Sequence, residues 1–339
     1  MARIGVIGSD HIHLFELVDR LVRSGAETVA HTAEGAFVEL YESWRTESVR
    51  QTAEELLADE RIDLIVTAAV PNERAEIALA ALAAGKRVLS DKPGLTTRSQ
   101  LDAISEAIAG RPGRPWTVLF TERFENRAIN EAVRLAESGA IGTVVHVIGA
   151  GPHSMNRDQR PNWFWDPVAT GGILVDIGAH QVDQFLSLAG AASAPGSRAV
   201  VRAAAVGNVS TPEHPEMQDI GSMTLALGPV VGDHRLDYLT APGLGTWGDV
   251  RLTIVGTTGT IEARANVDVA GEPGAEHLIV VDELGTRRVD LSAVTVDWAE
   301  LLLADLADDG ERLMTQRHVL DVCDLTLAAQ EAATGWGTP

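Results

Sequence analysis

The strongest constraint on this chain is an alternation of short apolar runs with helical repeats over its first 120 or so residues. Residues 4–7 read as a strand and 8–10 as a turn, after which Leu14, Phe15, Val18, Leu21 and Val22 recur at helical spacing until Gly25. Residues 28–31 and 62–69 read as strands, 73–84 as a helix closed by Gly85, 87–90 as a strand, 99–109 as a helix and 116–121 as a strand. Strands separated by helices need right-handed crossovers and build a parallel sheet covered on both faces. Residues 1–121 are therefore expected to form a Rossmann-type, doubly wound α/β domain.

After Glu122 the pattern changes. A helix over 126–137, stopped by Gly139, leads to a strand over 143–148 and then to a polar-aromatic loop, GPHSMNRDQRPNWFWDP. One more helix follows. Strand-like runs then succeed one another at 199–206, 222–227, 235–240, 251–255, 260–263 and 278–281, with turn signals at 256–259 and 283–285. Helices at 298–306 and 317–332 close the chain. Residues 122–339 are expected to form an α+β domain with a large, mainly antiparallel sheet, joined to the first by a tight hinge near residue 122.

Composition narrows the function. The net charge of −21 opposes the phosphate neutralisation on which nucleic-acid binding depends, and it disfavours anionic membranes equally. Only two of the 27 basic residues are lysines, Lys86 and Lys92, so each lysine carries some information. The single cysteine, Cys323, lies among Val319, Leu320, Val322 and Leu325, as a buried small hydrophobe would, and can form no internal disulfide. MARIGVIGSD lacks the apolar core of a signal peptide, and no stretch approaches a membrane span. A cytoplasmic protein is expected.

Three segments carry chemistry. The first is the loop at the end of strand one, where a dinucleotide pyrophosphate meets a helix N-terminus. Aligned on Gly8, the fingerprint G-x-G-x-x-G meets Asp10 at its second glycine and His13 at its third. Asp10 brings a carboxylate towards an anion, which His11 and His13 can partly offset, although the two histidines equally suit an exposed helix start. The second segment, Val88-Leu89-Ser90-Asp91-Lys92-Pro93, places an acid, a lysine and a proline just beyond a parallel strand, where ligands of open α/β sheets bind. A lysine there can hydrogen-bond a substrate hydroxyl, although an exposed turn lysine fits as well. In the third, GGILVDIGAHQVD, helical geometry puts Asp176, His180 and Asp183 on one face, where a carboxylate one turn away can orient a proton-accepting histidine. A satisfied interior pair has the same spacing. His11 and His13 stand two apart with no cysteine cluster or H-E-x-x-H helix, so no metal centre is expected.

Taken together and in order, these motifs resemble the Gfo/Idh/MocA oxidoreductase family, named for glucose-fructose oxidoreductase, inositol dehydrogenase and a rhizopine-catabolism protein. PNERAEIALAALAAGKRVL, TERFENRAINEAVRLAESGAIGTVV and VRLTIVGTTGTIEA are similar to family segments at corresponding places, so the resemblance covers nearly the whole chain. It implies NAD(P)-dependent oxidation of a secondary alcohol on a sugar, polyol or related cyclic substrate. Lys92 matches the lysine that contacts the reacting hydroxyl, Asp176 the substrate-orienting carboxylate and His180 the general base, and the three are expected to converge in one cleft. Gly8, Ser9, Asp10, His11, Ile12, Ala69, Pro71, Asn72 and Asp91 fall at cofactor-binding places, and Arg123, His153 and Trp163 on the substrate side. An exposed face of the second-domain sheet is a subunit interface in relatives, which implies a homo-oligomer, a dimer or tetramer.

The departures from the family pattern are specific. Asp91 replaces the commoner glutamate, and the family's histidine after the Pro-Asn pair falls on Arg74 or is missing. The second strand, TVAHTAEG, has no acid at its tip, although Glu34 is close, and no Lys or Arg occurs between Arg23 and Arg45 to grip a 2′-phosphate. NAD is thereby favoured slightly over NADP. Two rival functions share these residues: an NAD-dependent glycosidase that uses transient oxidation, and a non-catalytic ligand sensor, which Asp10 favours and the intact Lys92, Asp176 and His180 oppose.

Overall fold

The computed structural model describes residues 1–267, 271 and 274–337, in two compact units. The first comprises residues 1–119, 168–171 and 297–324, and the second residues 120–167, 172–296 and 325–339. Each unit takes in chain from both sides of the single boundary expected from sequence.

In the first unit, β1 (Arg3–Ser9), β2 (Glu27–His31), β3 (Val49–Arg50), β4 (Leu64–Ala68), β5 (Arg87–Asp91) and β6 (Trp116–Leu119) pair in parallel in the order β3-β2-β1-β4-β5-β6. Helices α1 (His13–Arg23), α2 (Val38–Trp44), α3 (Ala53–Ala58), α4 (Arg74–Ala83) and α5 (Arg98–Ile108) lie between them in sequence. β4 is buried along its whole length, as a central strand of a two-sided sheet must be. Amphipathic spacing seats α1, which buries Leu14, Leu17, Val18 and Leu21. Strand order reverses between β1 and β4, so a crevice opens there beyond the carboxyl ends of the strands.

Several elements differ from the sequence reading for local reasons. Residues 32–61 hold α2, β3 and α3, each too short to show a period; Thr52 and Glu55 form the capping box that starts α3. A second capping box, Thr97 with Gln100, starts α5 one residue earlier than its apolar pattern. Residues 297–324 join the first unit because α11 (Trp298–Asp308) packs on α1 and the buried Arg114 donates to Asp305 Oδ2 at 3.0 Å.

The second unit begins with α6 (Thr121–Phe124), α7 (Arg127–Glu137) and β7 (Val144–Pro152), followed by α8 (Pro167–Thr170), α9 (Ile173–Asp176) and α10 (Gly178–Ala191). β8 (Val200–Gly207), β9 (Ile220–Leu227), β10 (Val230–Asp237), β11 (Arg251–Gly256), β12 (Gly259–Arg264), β13 (His277–Asp282) and β14 (Gly285–Arg288) come next, and after α11 the chain ends with α12 (Gln316–Ala332) and β15 (Thr334–Gly335). Nine strands form one sheet, β14-β13-β12-β11-β7-β10-β9-β8-β15, antiparallel except for the β7–β10 and β8–β15 pairs. β10 starts five residues before the expected 235 because the hairpin after β9 turns at Gly228, whose φ of +56° suits glycine.

Among the described residues, one face of this sheet meets α7 and α10, and the other carries the exposed Val145, Ile148 and Val231. Along β10 the inward positions are Val230, Gly232, His234 and Leu236, while Val231, Asp233 and Arg235 point outward. Among the described residues no helix is long and apolar enough to cross a membrane. Cys323 is buried, which pushes its thiol up to about 12.

His234 gives the second unit a testable acid weakness. Neither ring nitrogen has a hydrogen-bond partner, and burial lowers its pKa from 6.5 to about 4. Between those values the unfolded chain binds a proton that the folded chain refuses, so stability falls as pH drops through this window, by up to about 3 kcal/mol. His234→Gln is expected to flatten that slope in urea unfolding compared at pH 7.5 and pH 4.5, whereas an unchanged slope would show that His234 is not its source.

Candidate active site

The crevice in the first unit is bounded by loops at the ends of three neighbouring strands. Gly8 to Ile12 follow or end β1, Ala69, Pro71 and Asn72 follow β4, and Asp91 ends β5, so all nine expected cofactor residues lie along one sheet edge. Gly8 has φ +79°, and a Cβ on it would lie 2.4 Å from the Ala69 Cβ, so only glycine lets β1 and the loop after β4 approach this closely. The amides of Asp10 and His11 both donate to Ala68 O at 2.9 Å, fastening the same two loops. Ser9 Oγ donates to Glu34 O at 3.1 Å, and Asn72 O accepts from Gln100 Nε2 at 2.7 Å. Ile12 precedes α1 without a capping side chain and is exposed, which leaves an apolar surface at a helix N-terminus.

The side chains at the departing positions have structural partners. Asp10 Oδ1 accepts from the Ala36 amide at 3.0 Å, so this carboxylate turns towards the loop after β2. Burial raises its pKa, an effect opposed by that amide and by Arg74. His13 Nδ1 lies 2.9 Å from Asp91 Oδ1, and His11 Nδ1 lies 3.2 Å from Asp91 Oδ2. Burial and the neighbouring His13 hold His11 well below the usual histidine range.

Asp91 is fully buried, and its charge is compensated from several sides. The Lys92 amide donates to Oδ1 at 2.8 Å, and Arg74 Nη2 lies 3.2 Å from Oδ2. Burial works to raise its pKa, but His13, Arg74 and His11 together hold it well below the carboxylate range. Arg74, itself fully buried, donates to Ala69 O at 2.7 Å, Lys92 O at 2.5 Å and Pro93 O at 3.1 Å. It thereby ties the loop after β4 to the Lys92–Pro93 turn, whose peptide is cis. Lys92 is 5% exposed.

In the second unit α9 and α10 run on through Ile177, which keeps helical φ and ψ, so the expected helical spacing of Asp176, His180 and Asp183 holds. Asp176 Oδ2 accepts from Tyr238 Oη at 2.7 Å, and burial, then the Asp176 charge, raises the phenol well above its usual value. His180 is buried in the first turn of α10. Both oxygens of Asp183 accept from one edge of Arg123, Nη2 at 2.6 Å and Nε at 2.7 Å, so the guanidinium expected on the substrate side is held in a bidentate pair. Glu122 is buried, and its Oε2 accepts from Gln181 Nε2 at 3.0 Å and Gln184 Nε2 at 3.3 Å.

The polar-aromatic loop folds over this helix start. His153 packs 4.7 Å from Trp247 with the rings tilted by 52°, and lies 6.1 Å from Tyr238, with Nε2 3.8 Å from Glu122 Oε1. Phe164 packs 5.2 Å from Tyr238 under the Arg160 guanidinium, and Trp163 occupies the adjoining 3₁₀ turn. The sequence reading passed over Tyr238, Glu122 and Arg160 as site residues. Tyr238 stands 62 residues from Asp176, and no local pattern marks it. A buried histidine, a carboxylate one turn away and several aromatic rings are groups able to exchange a proton and to pack against a small molecule.

A Rossmann-type sheet with a crevice at its strand-order reversal, followed by a nine-stranded mixed sheet, defines a dinucleotide-binding class of fold with a second, mixed-sheet unit. Residues 2–117 match the oxidoreductase family with an NAD-binding Rossmann fold, and residues 129–262 match the GFO/IDH/MocA C-terminal domain. The chain belongs to the Gfo/Idh/MocA oxidoreductase family. A protein of Erwinia carotovora atroseptica, assigned as an oxidoreductase and solved by crystallography, is 34% identical over 99% of this chain and 100% of its own, with a TM-score of 0.93. Inositol 2-dehydrogenase of Gluconacetobacter diazotrophicus is 30% identical over 183 residues, 52% of this chain and 51% of its own. Other curated relatives are matched over 34 to 55% of their length. Levoglucosan dehydrogenase in complex with NADH shares the fold at 18% identity, covering 98% of this chain and 96% of its own, with a TM-score of 0.78.

The Arg74–Asp91 pair is expected to be essential to the first unit. Arg74→Met leaves three carbonyls without their donor and a buried charge without its guanidinium, a loss of about 3 kcal/mol or more in urea unfolding. Adding Asp91→Asn should recover part of that loss, and strict additivity of the two changes would contradict the coupling.

Proposed function

We propose that this protein is an NAD(P)-dependent oxidoreductase that transfers hydride between a secondary alcohol of a sugar, polyol or related cyclic substrate and nicotinamide. The observation that carries the reading is the run of loops at the β1–β4 strand-order reversal, with the buried Asp91 and Lys92 at the adjacent end of β5. The crevice fits a dinucleotide in its backbone: Gly8 brings β1 against Ala69, and an uncapped helix start with exposed Ile12 faces the same edge. Gly8, Ser9, Asp10, His11, Ile12, Ala69, Pro71, Asn72 and Asp91 would hold it. When bound, the nicotinamide supplies the hydride acceptor.

The chain's own residues perform the proton chemistry. Lys92 donates a hydrogen bond to the reacting hydroxyl and lowers its pKa. His180 takes the hydroxyl proton on a ring nitrogen. Asp176 orients the substrate by accepting from a neighbouring hydroxyl, and Tyr238 fixes that carboxylate through its 2.7 Å bond. His153 and Trp163 line the substrate side, and Arg123 shapes it while paired to Asp183.

The cofactor reading favours NAD. No Lys or Arg lies between Arg23 and Arg45, and Asp10, held towards Ala36 in the loop after β2, repels a 2′-phosphate. The single buried cysteine suits a cytoplasmic setting. On the outward sheet face, the exposed Ile148 and Val231 lie beside the His146–Asp233 pair, and a second copy of this chain is the proposed partner there.

Three outcomes follow. Reduced nicotinamide should accumulate with NAD⁺ and at least one member of a sugar and polyol panel, and His180→Ala should lower kcat about 10² to 10⁴-fold while leaving dinucleotide affinity nearly unchanged. Full activity in that variant would move the proton acceptor elsewhere, with Asp176 next. Thermal shifts should be larger with NAD⁺ than NADP⁺, and Asp10→Asn should narrow the gap; a preference for NADP⁺ would overturn the electrostatic argument. Light scattering should give a dimer or tetramer, reduced to monomer by Ile148→Glu with Val231→Glu, and a monomeric wild type would refute the interface.

A further inference from the structure

Asp91 is joined by two histidines, His11, which is also proposed to hold the dinucleotide, and His13, to which the proposed reaction gives no role. His11 and His13 flank the start of α1, their rings 4.2 Å apart and 76° out of plane. One ligand atom from each of His11, His13 and Asp91 falls within 4.8 Å of the others. Two donors each about 2.1 Å from one ion, at angles near 90 to 110°, lie roughly 3.0 to 3.4 Å apart. The two nitrogen-to-oxygen separations, 2.9 Å from His13 to Oδ1 and 3.2 Å from His11 to Oδ2, are close to that spacing, each to a different oxygen of the one carboxylate.

The polar groups themselves ask for an electrophile. The His13 amide donates to His11 Nδ1 at 3.3 Å, which makes that nitrogen an acceptor. It faces Asp91 Oδ2 at 3.2 Å, an oxygen that is fully buried and accepts no hydrogen bond. Two acceptors turned towards each other in a shielded place repel unless a cation lies between them. Arg74 Nη2 lies 3.2 Å from the same oxygen, but three backbone carbonyls fix its guanidinium, and its charge balances only that of Asp91.

We propose that His11, His13 and Asp91 form a binding site for one divalent transition-metal ion. Two imidazoles and one carboxylate suit zinc, cobalt, nickel or ferrous iron and are a poor set for magnesium or calcium, which take oxygen ligands. Three donors leave further coordination positions for water or an oxygen ligand. The positive charge of Arg74 weakens the site without blocking it, because Arg74 approaches Oδ2 while Oδ1 faces His13. The sequence expectation of no metal rested on local motifs; the third ligand stands 78 residues from His13 and reaches it only through the parallel sheet.

The proposed site shares His11 and Asp91 with the proposed dinucleotide-binding residues, so it is tested with no dinucleotide present. The full-length protein, treated with chelator and dialysed, is titrated with Co²⁺ and followed by visible absorption and by metal analysis after equilibrium dialysis. One equivalent per chain is expected, with ligand-field bands that Zn²⁺ abolishes. Asp91→Asn, His13→Gln and His11→Gln should each weaken binding at least about tenfold, while His146→Gln on the outward sheet face should not. Thermal unfolding without metal confirms that each variant folds. The absence of saturable Co²⁺ binding at millimolar concentration, or equal binding in folded ligand variants, would overturn the site.

Discussion

The first unit turns on one buried carboxylate. Asp91 lies at the end of β5 with no solvent contact, and a charge in that position persists only if it is met from several sides. Arg74 from α4, His11 and His13 from the loop and start of α1, and the Lys92 amide all converge on it. Because Arg74 also binds the carbonyls of Ala69, Lys92 and Pro93, loops from β1, β4 and β5 are held by one network. The proposed nucleotide edge and the turn bearing Lys92 are thus rigid for the same reason.

A similar economy governs the second unit. Helix α10 is buried over most of its first three turns, so its polar residues must be satisfied internally. Asp183 is met by Arg123, and Gln181 and Gln184 donate to Glu122. Just before α10, Asp176 accepts from Tyr238. These contacts join the helix to α6 and to the residue following β10, fixing the orientation of the side chains proposed to handle substrate. Side chains of a proton-transfer site need such support, since small displacements cost rate.

Much of this was legible in the sequence. The six-stranded parallel sheet follows from apolar runs spaced by helical repeats, because burial on both faces leaves a local signature in every strand. The DKP turn is visible because it directly follows an apolar strand run, and the GGILVDIGAHQVD segment because Asp176, His180 and Asp183 recur at helical spacing. The partners of those residues were not. Arg74 and Asp91 are 17 residues apart on different elements, Tyr238 and Asp176 are 62 apart, and only the sheet registers bring them together. Asp10 read as a charge opposed to phosphate, whereas its bond to the Ala36 amide gives it a structural task as well. Short elements such as α2 and β3 escaped because seven and two residues hold too little of a period.

The central claim is hydride transfer between a carbinol carbon and nicotinamide, and isotope transfer tests it most directly. The protein is incubated with NAD⁺ and cyclic polyols and sugars carrying deuterium on their carbinol carbons, and the reduced cofactor is analysed by mass spectrometry and proton NMR. The account predicts reduced nicotinamide bearing one deuterium at its C4 position, matched by an equal amount of ketone product. Deuterium retained in, or lost to solvent from, a hydrolysed or eliminated product, with no net reduced cofactor, would contradict it.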